Sequence, residues 1–329
     1  MFSDSVAQFP KQLAFVPRIE NKDKLTAHDA FVVTGMGGSH LAADLLLAWN
    51  PELDLYIHSD YGKPPLPQKE LSRRLCIASS YSGNTEEVID AFEWVVSQKF
   101  PVAAVATGGM LLERAKTYGI PYIQLPDWGI QPRSAVGLSA VALLALMAQT
   151  GVLKELQGLS KTLDPEAQKE TGRALAKKLD KRVPIIYASN RNRALALNWK
   201  IRLNETGKVP SFFNTVPELN HNEIIGFDIT PHTKPLSERF IIVILRDDTD
   251  EPRVNMRMEL LADLYREKGL EVHTQRLEGV SSWEKIFSSI LLADWTSYFV
   301  AEQYGLDSEQ VDFVEEFKRR LREKERQNE

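Results

Sequence analysis

A single cysteine, Cys76, is all the thiol in 329 residues, so neither a disulfide framework nor a thiolate metal site can be built from this chain. It lies in the apolar run Leu75-Cys76-Ile77-Ala78, the setting of a buried strand thiol, and a reducing cytoplasm is the expected location. Long apolar runs are equally scarce. The longest, 135–148, is interrupted by Gly137 and Ser139 and falls short of the roughly 20 residues that a membrane span requires, so no membrane partner is expected. Met1-Phe2-Ser3-Asp4-Ser5 sets no basic stretch ahead of an apolar one, which argues against a secretory signal. Positive charge is not in excess either. Lys and Arg number 40 against 45 Asp and Glu, a formal charge of −5, the wrong sign for a general binder of nucleic-acid backbones.

What remains is an ordinary globular composition, 43% hydrophobic and 26% charged, in a chain long enough for about two domains of roughly 100–200 residues each. Strand-like runs bounded by turn residues fall at 30–34, 53–58, 75–79, 102–107 and 122–125, with helical patterns between most of them, the signature of a parallel sheet built from βαβ units. A helix over 134–150 closes this half. Residues 151–165 read as a linker, and the charged stretch 166–182 as an amphipathic helix. The logic then repeats, with strands near 185–189, 240–245 and 271–275 and helices near 192–204, 250–267, 283–304 and 311–322. The expected fold is α/β, two doubly wound parallel-sheet (flavodoxin-like) subdomains over 1–151 and 152–329 with a C-terminal helix. The charged tail 319–329 is expected to fray at its end.

Two strands of the first half run into small polar loops, and ligands of such sheets bind at strand carboxyl ends. Gly35-Met36-Gly37-Gly38-Ser39-His40 misses the third glycine of a dinucleotide fingerprint and has no P-loop lysine. Its glycines still allow close backbone approach, and Ser39 opens a helix whose free N–H groups favour an anion. Ser80-Tyr81-Ser82-Gly83-Asn84-Thr85 is more specific. Hydroxyls at Ser80, Ser82 and Thr85 just ahead of a helix can hold a phosphate monoester without Lys or Arg, which suits a small sugar phosphate. His221-Asn222-Glu223 matches no metal motif, and the remaining histidines are scattered, so neither metal nor cofactor is expected.

These two loops together resemble the sugar isomerase (SIS) domain family. Asn204-Glu205-Thr206-Gly207-Lys208, Pro217-Glu218-Leu219-Asn220-His221-Asn222 and the closing Glu315-Glu316-Phe317-Lys318 narrow the resemblance to the bifunctional phosphoglucose/phosphomannose isomerases, over essentially the whole chain. The resemblance implies SIS-like subdomains, a homodimer, and interconversion of glucose 6-phosphate or mannose 6-phosphate with fructose 6-phosphate in carbohydrate metabolism. It also implies roles: Glu205 as base, His221 as the ring-opening residue supplied across the subunit interface, Arg133 beside the enediolate, and Lys318 as the lysine of the C-terminal helix. Gly38, Ser39, Ser80, Ser82 and Thr85 match the phosphate loops. His40 stands where many members have Gly, and Val311 where some archaeal members carry a Thr linked to mannose 6-phosphate.

The chemistry asks for such groups on its own account. Aldose–ketose exchange needs one base to carry a proton between C2 and C1, and a carboxylate titrating near 4.3 is ionised at neutral pH. Opening a cyclic sugar needs a group that moves protons either way, as an imidazole does, and a fixed guanidinium opposes charge on the enediolate oxygens. Taken singly, each residue has a plain alternative: Glu205 the last turn of an exposed helix, His221 a surface loop residue, Arg133 a carbonyl cap, Lys318 a solvated charge. Two other functions stay open at this level, a phosphosugar-sensing SIS module without catalysis and an aminosugar phosphate isomerase.

Overall fold

The computed structural model describes residues 1–328. Two short helices, α1 (Phe2–Ala7) and α2 (Pro10–Leu13), precede the first half, which runs β1 (Ile19–Glu20), β2 (Ala30–Thr34), α3 (Leu41–Trp49), β3 (Asp54–His58), α4 (Gln68–Arg73) and β4 (Leu75–Ser79). It continues through α5 (Glu86–Ser97), β5 (Val102–Ala106), α6 (Gly109–Tyr118), β6 (Tyr122–Gln124) and α7 (Val136–Leu146). The second half comprises α8 (Thr150–Leu159), α9 (Lys169–Lys178), β7 (Val183–Ser189), α10 (Arg193–Glu205), β8 (Phe212–Val216), α11 (Glu223–Gly226) and α12 (Lys234–Ser237). After these come β9 (Phe240–Arg246), α13 (Pro252–Glu267), β10 (Glu271–Arg276), α14 (Ser282–Gln303) and α15 (Asp312–Asn328). The end of the charged tail, at Glu329, lies outside the described residues.

The first sheet has the order β1-β6-β5-β4-β2-β3 and the second β10-β9-β7-β8. All pairings are parallel except β1 with β6. Each sheet therefore reverses its strand order beside its first long strand, at β2/β4 and at β7/β9, the switch point at which such sheets open a crevice.

Side chains alternate across each strand with period two. Phe31 and Val33 enter the large central core, whereas Val32 joins a second core with Cys76 and Ala78 beneath α5 and α6. In the second sheet Ile186 and Ala188 face the central core while Ile185 and Tyr187 face a third one under α13. The central core is filled by α3, α7, α10 and α14, so the molecule is layered as outer helices, sheet, shared helices, sheet and outer helix. With both faces covered, the inner strands read as continuous apolar runs. Burial pushes the Cys76 thiol up to about 12, which leaves it a packing residue.

Helix α10 is buried nearly all round: Leu195, Trp199 and Leu203 pack apolar faces, while Asn198 and Arg202 are buried polar. Trp199 is fully enclosed and donates its indole N–H to Ser289 Oγ on α14 at 2.9 Å, which satisfies the one polar atom that its burial would otherwise strand.

Three expectations need correction. Residues 150–159 form helix α8, with Leu156 and Leu159 buried, instead of a linker; Gly151 and Gly158 lie where no crowding penalises them, and packing outweighs their low propensity. Strand β8 goes unseen in the sequence, as does the short edge strand β1. In β8 the edge position leaves Phe212 exposed and sets Asn214 mid-strand, so no clean apolar pattern survives.

Candidate active site

The first two polar loops meet at the carboxyl edge of the first sheet. Ser39 Oγ accepts from the Tyr81 N–H at 3.0 Å, and the Ser79 hydroxyl donates to the Ser39 carbonyl at 2.9 Å. Ser80 Oγ accepts from the Gly83 N–H at 3.1 Å and shares a hydrogen bond with Thr85 Oγ1 at 2.8 Å. Thr85 occupies the N-cap position of α5, yet its hydroxyl turns to Ser80 instead of the helix N–H groups, so capping alone does not explain it. Ser82 stands at the exposed rim, where its Oγ accepts from Asn84 N–H at 3.2 Å. The β5–α6 loop braces this turn from behind, with Thr107 donating through both N–H and hydroxyl to the Tyr81 carbonyl at 2.9 and 2.8 Å.

Gly38 lies against the turn that carries Arg133. A Cβ there would stand 2.5 Å from the Arg133 nitrogen, so only glycine permits the contact. Arg133 is 1% exposed. Its Nε donates to Thr206 Oγ1 at 2.9 Å, Nη1 to Glu205 Oε2 at 3.1 Å and Nη2 to the Ser308 carbonyl at 2.8 Å. Burial lowers the Arg133 pKa from its ordinary value, opposed by Glu205 and Asp294; a guanidinium titrates so high that it stays charged.

The main chain of this turn is held as firmly. Arg202 on α10 donates from Nη2 to the Arg133 carbonyl at 3.1 Å, from Nη1 to Asn198 Oδ1 at 2.7 Å and from Nε to Asp294 Oδ1 at 2.7 Å, with Arg202 fully buried. Gln12 donates to the Ser134 carbonyl at 2.8 Å, and its Oε1 accepts from Gly137 N–H at 3.0 Å at the start of α7. The charge in the apolar run Ile290-Leu291-Leu292-Ala293-Asp294 is the sequence signal from which this network could have been inferred.

Glu205 ends α10 with its side chain 37% exposed. It lines a cavity of about 490 Å³ with Asn204, Lys208, Leu306, Val311 and Phe313. The carboxylate is thus oriented by a buried guanidinium on one side and open to a ligand on the other, and the solvated-helix account of Glu205 gives way. Arg133 is likewise no mere carbonyl cap.

The structure brings together Gly38, Ser39, Ser80, Thr85, Arg133 and Glu205, keeps Ser82 at the exposed rim of the same loop, and leaves the other two expected residues apart. His221 is exposed in the turn that follows β8. Strand β8 runs parallel to β7, while α10 returns in the opposite sense between them. Glu205 and His221 of one chain therefore stand at opposite edges of the second sheet, separated by the length of a helix of 13 residues, about 20 Å at 1.5 Å per residue. Lys318 is exposed on α15, where it pairs with Glu315 at 2.9 Å. Among the described residues no group of three or more His, Cys, Asp or Glu could hold a metal ion, and no helix is long and apolar enough to cross a membrane.

The matching edge of the second sheet is closed by its own side chains. Lys285 donates to Asp247 at 2.6 Å, and Asn192 donates to Asp250 at 3.2 Å. Carboxylates stand there in place of hydroxyls. Burial would raise the Asp247 carboxyl, but Lys285 and Thr249 hold it below the ordinary range.

Residues 168–321 match the family model described as the bacterial phospho-glucose isomerase C-terminal SIS domain. A bifunctional phosphoglucose/phosphomannose isomerase of Caldicellulosiruptor bescii is 34% identical over 90% of this chain and 90% of its own length. The chain belongs to this isomerase family. The Aquifex aeolicus member is 30% identical over 91% of this chain and 92% of its own. A solved structure of a hypothetical protein from Thermus thermophilus superposes with a TM-score of 0.69 at 17% identity, covering 98% of this chain and 88% of that one, which extends the likeness in fold across both halves.

Removing Asp294 leaves a buried Arg202 charge without its counter-ion beneath the site. Asp294→Ala should lower the unfolding free energy by about 3–5 kcal/mol, read from urea denaturation; a loss below about 1 kcal/mol would mean that Asn198 and the Arg133 carbonyl suffice for Arg202.

Proposed function

We propose that the protein is a metal-independent aldose–ketose isomerase that interconverts glucose 6-phosphate and mannose 6-phosphate with fructose 6-phosphate through a cis-enediol. The observation that carries the reading is the half-exposed Glu205 carboxylate held by the buried Arg133 guanidinium at 3.1 Å, beside a cup of neutral hydroxyls at a sheet edge. A sensor of phosphosugars would need the cup and not the carboxylate.

In this reading Ser39, Ser80, Ser82 and Thr85, with the N–H groups around Gly38 and at the start of α5, take the phosphate. Their neutrality suits a monoester, since hydrogen-bond donors and helix-start N–H groups replace cations. Glu205 removes the proton from C2 of the open-chain aldose. The electron pair forms the C1–C2 double bond as the C1 carbonyl oxygen takes a proton, and Glu205 returns its proton to C1 as the C2 hydroxyl gives up its own to become the ketone, so that in the net reaction one proton passes from the C2 oxygen to the C1 oxygen. Arg133, fixed by Thr206 and Ser308, opposes charge on the oxygens of C1 and C2 without having to move.

His221 opens the ring from the partner subunit of a homodimer. Its place at the edge opposite Glu205 supports this, because the two residues of one chain stand too far apart to meet on one sugar. Lys318 on α15 belongs to the same reading, as the lysine of the C-terminal helix. Val311 lines the cavity with Glu205, at the place where a residue could tune acceptance of the mannose epimer. The sequence divides for this function into an N-terminal phosphate-binding domain, 1–151, and a C-terminal isomerase domain, 152–329, working in the cytoplasm.

Three experiments test the reading. Glu205→Gln keeps shape but cannot accept a proton; kcat should fall roughly 10²–10⁴-fold with KM little changed, and solvent exchange at C2, followed by NMR in D₂O, should vanish. Turnover near that of the parent, in the presence of EDTA, would place the base elsewhere. Ser80→Ala combined with Thr85→Ala should raise KM for glucose 6-phosphate about tenfold or more, for the loss of hydrogen bonds to a charged group; an unchanged KM rejects the cup. Mixing inactive Glu205→Gln and His221→Ala chains should restore part of the activity, since one of the two hybrid sites keeps both groups. No rescue despite demonstrated subunit exchange would exclude a shared site.

A further inference from the structure

The base is held by a second cation that the reaction scheme does not use. Lys208 stands three residues beyond Glu205, with its backbone at φ +59°, a left-handed conformation that residues bearing a Cβ adopt uncommonly. From there its ammonium returns to the Glu205 carbonyl at 2.6 Å. That carbonyl belongs to the last turn of α10, where intrahelical partners run out. The same ammonium also donates to the Gln310 carbonyl, in the segment that leads into α15. Arg133 makes the parallel connection, reaching the Glu205 side chain and the Ser308 carbonyl. Two cations thus each grip Glu205 with one donor and the 308–310 segment with another. Burial and the neighbouring Arg133 lower the Lys208 pKa from its ordinary value, against the opposing pull of Asp307, Glu205 and Asp312. A helix cap alone would need only the Glu205 carbonyl; the second bond, to the Gln310 carbonyl, is what sets this ammonium apart.

We propose that Lys208 is a positioning residue for Glu205: its ammonium joins the end of α10 to the foot of the C-terminal helix, so that the base and the start of α15 keep one fixed relation. The cavity that Glu205 lines is also lined by Val311, Asp312, Phe313 and Val314, which follow directly on the clamped Gln310. The role of Lys208 is therefore felt in the geometry of the proton transfer and not in holding the phosphate, which belongs to loops of the other half. The inference rests on Glu205 being the base.

The full-length chain serves for the test, with Lys208→Met, which keeps length and removes charge, and Lys208→Arg, which keeps both charge and donors. With glucose 6-phosphate as substrate, Lys208→Met should lower kcat about tenfold to a hundredfold, as for a small displacement of a catalytic group, while KM stays within about twofold. Lys208→Arg should recover most of the loss. Amide hydrogen exchange over 306–314 should become severalfold faster in Lys208→Met, and not in Lys208→Arg or over β7. Lys208→Gln replaces the methionine variant if that one fails to fold. A kcat for the neutral variant within about twofold of the parent, or unchanged exchange over 306–314, overturns the proposal. Full turnover of Glu205→Gln would instead reject the base itself, and the exchange result would still report on the clamp.

Discussion

A guanidinium removed from water must find acceptors for its N–H groups and a charge to answer its own. Arg133 finds them at two separate places in the chain: Thr206 and Glu205 at the end of α10, and the Ser308 carbonyl ahead of α15. Because the residue belongs to the turn after the first sheet, its burial obliges both halves and the C-terminal segment to converge at one point. The same demand explains why the support below is polar inside an apolar layer. Arg202, Asn198 and Asp294 fix the main chain of the turn, and Gln12 ties in the N-terminal helix.

The division of chemistry follows from the layering. The first half offers backbone and hydroxyl groups that need no charge, at the edge where its strands end. The second half offers the carboxylate at the end of a helix that is itself buried, so that Trp199 and Arg202 hold the register of Glu205 from within the core. The halves share the apolar central core, and at the site itself they meet through charge-assisted hydrogen bonds, whose geometry is more exacting than that of apolar packing.

Much of the fold is legible in the sequence because buried parallel strands leave continuous apolar runs, as at 30–34 and 75–79, and because loops between them announce themselves with glycine and hydroxyls. Strand β8 escapes since Phe212 is exposed at a sheet edge and Asn214 interrupts the run. Helix α8 escapes because two glycines mimic a loop. In the site, the hydroxyl loop and Glu205 are local and can be recognised from short motifs, whereas the partners of Arg133 lie 73 and 175 residues away along the chain, at Thr206 and Ser308, and no local pattern encodes such pairings. Asp294 is intermediate: a charge inside an apolar helix signals a buried partner without saying which. His221 shows a different limit: it stands exposed at the edge opposite Glu205, and nothing in the fold of one chain brings it to the carboxylate.

The two sheets are built alike yet end differently. At the edge of the second, Asp247 and Asp250 are buried, one closed by Lys285 and the other by Asn192, so the polar groups that a crevice there would offer to a ligand are already engaged with one another. Of two like edges, the one lined with hydroxyls stays open, and the sheet behind the closed one serves as the scaffold on which the helix ending in Glu205 is laid.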